Sequence, residues 1–210
     1  MTVLLMLLMA FELIGRAAHE WIGTGMFILF IIHHILNTKW SRSLLRGKYT
    51  PFRIFQTASA VSALLFMLGS FISALLISRE VFAFLPVSSG QAFGGTLHML
   101  CAYWGFVILS LHLGLHWNSI IGMAGRLVKK AFRARRNILR ILGTAIALYG
   151  VYAFFRREIP GYLFLRTQFI FFDFSEPLIF FFLDYLSIMG MFVWTGHYLS
   201  KGALSLQAKK

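Results

Sequence analysis

Acidic residues are scarce in this chain. Asp and Glu number 7 among 210 residues, and all charged residues make up only 13%. A soluble domain is nearer a quarter charged, so a water-facing globular surface is a poor fit. Cysteine is scarcer still. The one residue, Cys101, excludes an intramolecular disulfide and a Cys-rich metal site. With no Cys-x-x-Cys-His run, covalent c-type haem attachment has no basis either. Long low-complexity tracts and a separate soluble domain are also missing.

The chain is instead 59% hydrophobic and 17% aromatic. Apolar runs near or above about 18 residues read as membrane-spanning helices. The formal charge of +13 does not point to nucleic acid, because the basic residues sit in short loops between apolar segments. The amino-terminal stretch lacks a basic n-region and a small-residue cleavage site, so it reads as a first span and not as a removed signal.

Six spans are predicted, at 2–16, 18–38, 54–78, 95–117, 139–155 and 177–199. The first and fifth are short, and the first carries Glu12 and Arg16. Segment 156–176, interrupted by charge and by Pro160, reads as an interfacial loop. Lys39, Arg42, Arg46, Lys48 and Arg53 follow the second span. Arg126, Lys129, Lys130, Arg133, Arg135, Arg136 and Arg140 follow the fourth, and Lys201, Lys209 and Lys210 end the chain. These are fifteen of the twenty basic residues; Arg16, Arg79, Arg156, Arg157 and Arg166 fall on the other side. The positive-inside rule then predicts a multi-pass protein of a bacterial-type inner (plasma) membrane with both termini cytoplasmic. The 126–140 run reads as an anchor on anionic lipid headgroups.

Histidines carry the chemistry. The second span holds His19, His33 and His34; the fourth holds His98, His112 and His116. His19 to His33 is 14 residues, and so is His98 to His112. Fourteen residues turn an α-helix through about 1400°, four turns less about 40°, and rise about 21 Å. Each pair therefore shares a face. The two spans run in the same direction, so His19 matches His98 near the outer surface and His33 matches His112 near the inner one. A flat macrocycle needs an imidazole on each side of its plane. This ladder supplies that twice, which suits two b-type haems with the four histidines as axial iron ligands. His34 is turned about 100° from His33 and reads as a neighbour or alternative, while His116 is an alternative to His112. His197 lacks a partner at this spacing and reads as interfacial. A lone intramembrane histidine is more often a hydrogen-bonding or proton-relay group; four at equal steps are harder to read so. Gly23, Gly25, Gly94, Gly95, Gly105 and Gly114 offer room for a bulky ring or for close helix packing.

The expected fold is all-α: a polytopic membrane bundle of about six transmembrane helices with a four-helix haem-binding core. Residues 1–210 form one integral membrane cytochrome b-like domain. The stretches "HEWIGTGMFILFIIHHILNTKW", "GKYTPFRIFQT", "VFAFLP", "LHMLCAYWGFVILSLHLGLHW" and "FFLDYLSIMG" cover most of the chain, which resembles the flavinylation-associated cytochrome family. His33-x3-Asn37 parallels His112-x3-His116-Trp117, which favours His33 over His34. The resemblance implies a membrane b-type cytochrome linked to extracytoplasmic flavin electron transfer, with an FMN-binding protein as partner. The "SGQAFGGT" loop is not a flavin-attachment motif, which puts any flavin on that partner. The histidine spacing is also similar to that of cytochrome b subunits of quinol-oxidising complexes.

Two haems, each near one face, make a stepwise electron path across the bilayer, and a membrane quinone is the natural small-molecule partner. The chain reads as the membrane cytochrome b subunit of a quinone-linked oxidoreductase, alone or as a homo-oligomer. Arg16 and Arg79 are candidates to pair with outer haem propionates, and Arg53 or Lys39 with inner ones. Anchoring is an equal reading of each. Glu20, Glu80 and Asp184 are candidate proton-handling groups, Asp184 being equally readable as a structural partner inside a span. Two other classes compete. One is a haem-containing reductase of an external acceptor such as ferric iron, which needs a cytoplasmic flavin and nicotinamide domain. The other is a haem-free transporter or assembly scaffold using the histidines for protons or metal.

Overall fold

Long apolar segments fold as helices because only a helix satisfies every backbone polar group within its own segment. The computed structural model bears this out and describes residues 1–44, 46, 48–85, 87, 89–127, 133–167 and 172–207. The side chains at 124, 126–127 and 133–136 fall outside that description, as do Pro86, residues 168–171 and residues 208–210. Much of the expected 126–140 anchor and of the carboxyl-terminal basic tail therefore lies outside the described residues.

Among the described residues there are nine helices and no strand. They are α1 (Thr2–Leu8), α2 (Phe11–Leu36), α3 (Thr38–Ser43), α4 (Pro51–Ile77), α5 (Gln91–Leu115), α6 (Trp117–Leu127), α7 (Arg133–Arg156), α8 (Ile159–Leu163) and α9 (Leu178–Gln207). Five are long and apolar enough to cross a membrane: α2, α4, α5, α9 and the Asn137–Arg156 part of α7. Only 11% of the most apolar window of α2 is buried, and Ile31, Ile32, Ile35 and Leu36 are exposed along it. Water does not tolerate such a contiguous apolar face, whereas lipid does. The chain is a multi-pass, all-helical membrane protein.

The first expected span, 2–16, is not a single helix. α1 is only 7 residues long, and it packs back on α2. Gly15 then takes φ 75° and ψ 169° and breaks the start of α2. A residue with a Cβ resists that backbone, so the apolar run from Thr2 reverses instead of crossing. Among the described residues five helices are of membrane length, where six spans were expected. Segment 156–176 also differs from a simple surface loop. Within it α8 forms between Glu158 and Leu165, both at positive φ, and buries Ile159, Tyr162 and Leu163.

The chain divides into two compact units. The first comprises Met1–Lys48, Leu64–Gly105 and Gly161–Phe174. Inside it Phe27 of α2 stacks on Phe71 of α4 with ring centres 3.7 Å apart. Tyr103 stacks on Tyr162 at 4.6 Å, and the Trp104 indole N–H donates to the Leu163 carbonyl at 3.0 Å. The second comprises Tyr49–Ala63, Phe106–Pro160 and Ser175–Lys210. Its centre is formed by Phe106 and Ile188, both fully buried. There α5 meets α9 at Gly114 and Gly196: a Cβ on either would collide with the backbone of the other helix. Small residues allow that approach, which drives helix association where lipid removes the hydrophobic incentive.

Candidate functional site

In the first unit the sequence places His19 two turns into α2 and His98 two turns into α5. The fold brings their rings face to edge, with centres 6.0 Å apart and planes crossing at 71°. Both rings are part-buried, and Phe11 closes on His19 edge-on at 5.1 Å. The spacing has a chemical meaning. Two opposed imidazoles, each bonded to one metal at about 2.0 Å, have ring centres about 6.2 Å apart.

His98 is held in one tautomer. Its Nδ1 lies 3.0 Å from the Ser70 carbonyl of α4, which can only accept, so Nδ1 carries the proton and Nε2 the lone pair. Ser73 Oγ donates to the same carbonyl at 2.9 Å and accepts from His98 Nδ1 at 3.2 Å. His19 differs: its Nδ1 is buried with no hydrogen-bond partner among the described residues. A buried polar atom left so costs about 1–3 kcal/mol. The pair thus consists of one anchored ring and one unanchored ring.

In the second unit His112 of α5 is part-buried, and a similar contact recurs. Ser59 Oγ of α4 donates to the Gln56 carbonyl at 3.0 Å and stands 3.1 Å from His112 Nδ1. With its hydrogen committed to Gln56, the serine accepts from Nδ1–H, which again puts the lone pair on Nε2. His116 lies beside His112, ring centres 4.8 Å apart.

His33 and His34 end α2 in the first unit, their ring centres 5.9 Å apart. His33 is exposed, and its backbone carbonyl accepts from Asn37 Nδ2 at 2.7 Å. His34 is part-buried and donates Nδ1–H to the Phe30 carbonyl at 3.1 Å. His33 and His112 belong to different units, and each is described within its own.

Arg16 and Arg79, the candidate propionate partners, are both exposed in the first unit. Glu20, a candidate proton group, accepts from Ser78 Oγ at 2.6 Å and from the backbone N–H groups of Arg79, Glu80 and Val81 at 2.9–3.0 Å. Four donors occupy one carboxylate, which ties the loop after α4 to α2 next to His19.

Asp184, fully buried on α9, anchors a charge network in the second unit. It accepts from Tyr149 Oη at 2.7 Å, Arg157 Nε at 2.7 Å and Arg156 Nη1 at 3.3 Å. Glu176 pairs with both arginines, at 2.8 Å with Arg156 and 2.7 Å with Arg157. Burial works against the Arg157 charge, but the hydrogen bonds it donates to Glu176 and Asp184 outweigh it and hold the guanidinium above its ordinary range. Two cations and two anions cancel, so Asp184 takes the structural one of its two expected roles.

Of the glycines expected to make room, Gly25 and Gly95 face open space, whereas Gly94 packs on Leu76 and Ile77 of α4 and Gly114 on α9. Sequence reasoning missed Ser59, Ser70 and Ser73. Their signal was present: Ser59 and Ser73 repeat the 14-residue step of the histidines.

No family model matches this chain, nor does any curated protein or solved structure. The family resemblance therefore rests on the motifs quoted above. Among the described residues no three His, Cys, Asp or Glu side chains converge on one point. A bare transition-metal site with protein ligands alone takes three or four such groups. A metal held by two imidazoles alone needs its remaining ligands from elsewhere, as a macrocycle supplies them.

Proposed function

We propose that the protein is a transmembrane electron carrier that binds two haem b groups through paired histidines. It would exchange electrons between a membrane quinone and an extracytoplasmic flavin protein. Haem bound in this way supplies a one-electron carrier within a layer that electrons do not otherwise cross. The closeness of His19 and His98, ring centres 6.0 Å apart, is the observation that carries the reading.

His19 and His98 would hold the outer group, with His98 presenting Nε2 because its Nδ1–H donates to the Ser70 carbonyl and the Ser73 hydroxyl. His33 and His112 are assigned to the inner group on the equal 14-residue steps in the sequence. Arg16 and Arg79 would offer positive charge to propionates at the outer level. Neutral imidazole is the form that binds metal. Glu20, saturated by four donors, positions the outer loop instead of passing protons.

With the basic loops on the cytoplasmic side, α2 begins at the outer face. Five crossings would leave the short α1 outside and the end of α9 inside, whereas the six expected spans would leave both termini cytoplasmic. Lipid surrounds the exposed faces of α2, α4 and α7.

The test is a visible spectrum of the purified protein from a haem-replete host. Low-spin bis-histidine α-bands are expected. A colourless protein would remove the electron-carrier reading and leave the haem-free transporter or scaffold.

A further inference from the structure

The two α5 histidines share a feature that the ligand ladder alone does not require. Each has its Nδ1 against a serine of α4, and each serine is pinned by donating to the carbonyl three residues earlier. A serine in a membrane helix commonly bonds back to its own backbone, and that accounts for its hydrogen. It does not account for the remaining lone pair meeting a histidine twice. Ser59 and Ser73 are 14 residues apart, as are His98 and His112. α4 and α5 are successive helices running in opposite directions, so Ser73 meets the earlier histidine and Ser59 the later one.

We infer that Ser73 and Ser59 are positioning residues for His98 and His112: each hydroxyl accepts a hydrogen bond from Nδ1–H, that of Ser73 beside the Ser70 carbonyl that fixes the His98 tautomer, and each sets the orientation and electron richness of the imidazole presented to iron. The inference rests on the two-haem reading. An imidazole that donates Nδ1–H to a committed acceptor is a stronger base at Nε2. That favours the ferric state and lowers the reduction potential of its haem. Ser73 acts together with the Ser70 carbonyl, and Ser59 is itself fixed by the Gln56 carbonyl.

The experiment is a redox titration of the purified haem-loaded protein, followed at the α-bands, for the unmutated chain and for Ser73→Ala, Ser59→Ala and Ser73→Thr. Ser73→Ala should raise the midpoint of the haem that is lost in His98→Ala. Ser59→Ala should raise that of the haem lost in His112→Ala. The expected change is about tenfold in the reduction equilibrium, about 59 mV for one electron. Ser73→Thr keeps the hydroxyl and should keep the midpoint.

Two bound haems with unmoved midpoints in both alanine variants would overturn the assignment and leave the two-haem reading intact. So would a Ser73→Thr shift as large as that of Ser73→Ala, because the cause would then be packing and not the hydroxyl. An unmutated protein without haem would remove both readings.

Discussion

The imidazoles of His19 and His98, 79 positions apart in the chain, lie with ring centres 6.0 Å apart and planes crossed at 71°. No helix of this chain brings them together by itself. α4 runs out and α5 returns, and the serines of α4 hold the ring of His98. That relationship makes the ligand assignment testable residue by residue.

His19→Ala and His98→Ala should each remove the same haem, lowering the content from about two per chain to about one. His33→Ala and His112→Ala should remove the other. Spectra taken at graded potentials identify which is lost. If His34→Ala rather than His33→Ala removes the inner haem, the anchored ring of α2 is the ligand and the 14-residue rule fails at that end.

Asp184→Ala should destabilise the protein by about 3–5 kcal/mol, since it leaves Arg157 in a part-buried site with one carboxylate fewer. Denaturant unfolding in detergent measures this. Haem midpoints should stay unchanged. A stability near that of the parent would show that the network contributes little.

Gly196→Ala places a methyl group against the backbone of α5 at Leu111 and Gly114. A cost of about 1–3 kcal/mol is expected from overpacking. Gly202→Ala, which meets open space on the same helix, should be neutral. A thermal melt of the two variants side by side separates them.

Ser89→Cys, exposed before α5, should be labelled from outside intact cells by a membrane-impermeant maleimide. Ser43→Cys, exposed at the end of α3, should react only after permeabilisation. The buried thiol of Cys101 gives little background. The reverse pattern would invert the proposed orientation.

The parts of this molecule that were legible in its sequence are those set by period and length. Long apolar runs give helices whatever their neighbours do, and the 14-residue step puts His19 and His33, or His98 and His112, on one face of a helix. The amino-terminal run was misread because composition cannot show that Gly15 adopts a positive φ and breaks the span. α8 was hidden in a charged, aromatic stretch, because its burial depends on Tyr103 and Trp104 of a distant helix. Asp184 is on α9, and its partners lie on α7 and in the segment between the two helices. Only folding joins Tyr149, the two arginines and Glu176 to it. The serines escaped notice because a serine in an apolar helix looks unremarkable until a histidine stands opposite.

The most direct measurement is haem per chain by pyridine haemochrome assay on protein purified from a haem-replete host. Two haem b per chain is the predicted value. Protein that folds and inserts but binds none would contradict the account, and one per chain would force a choice between the two levels.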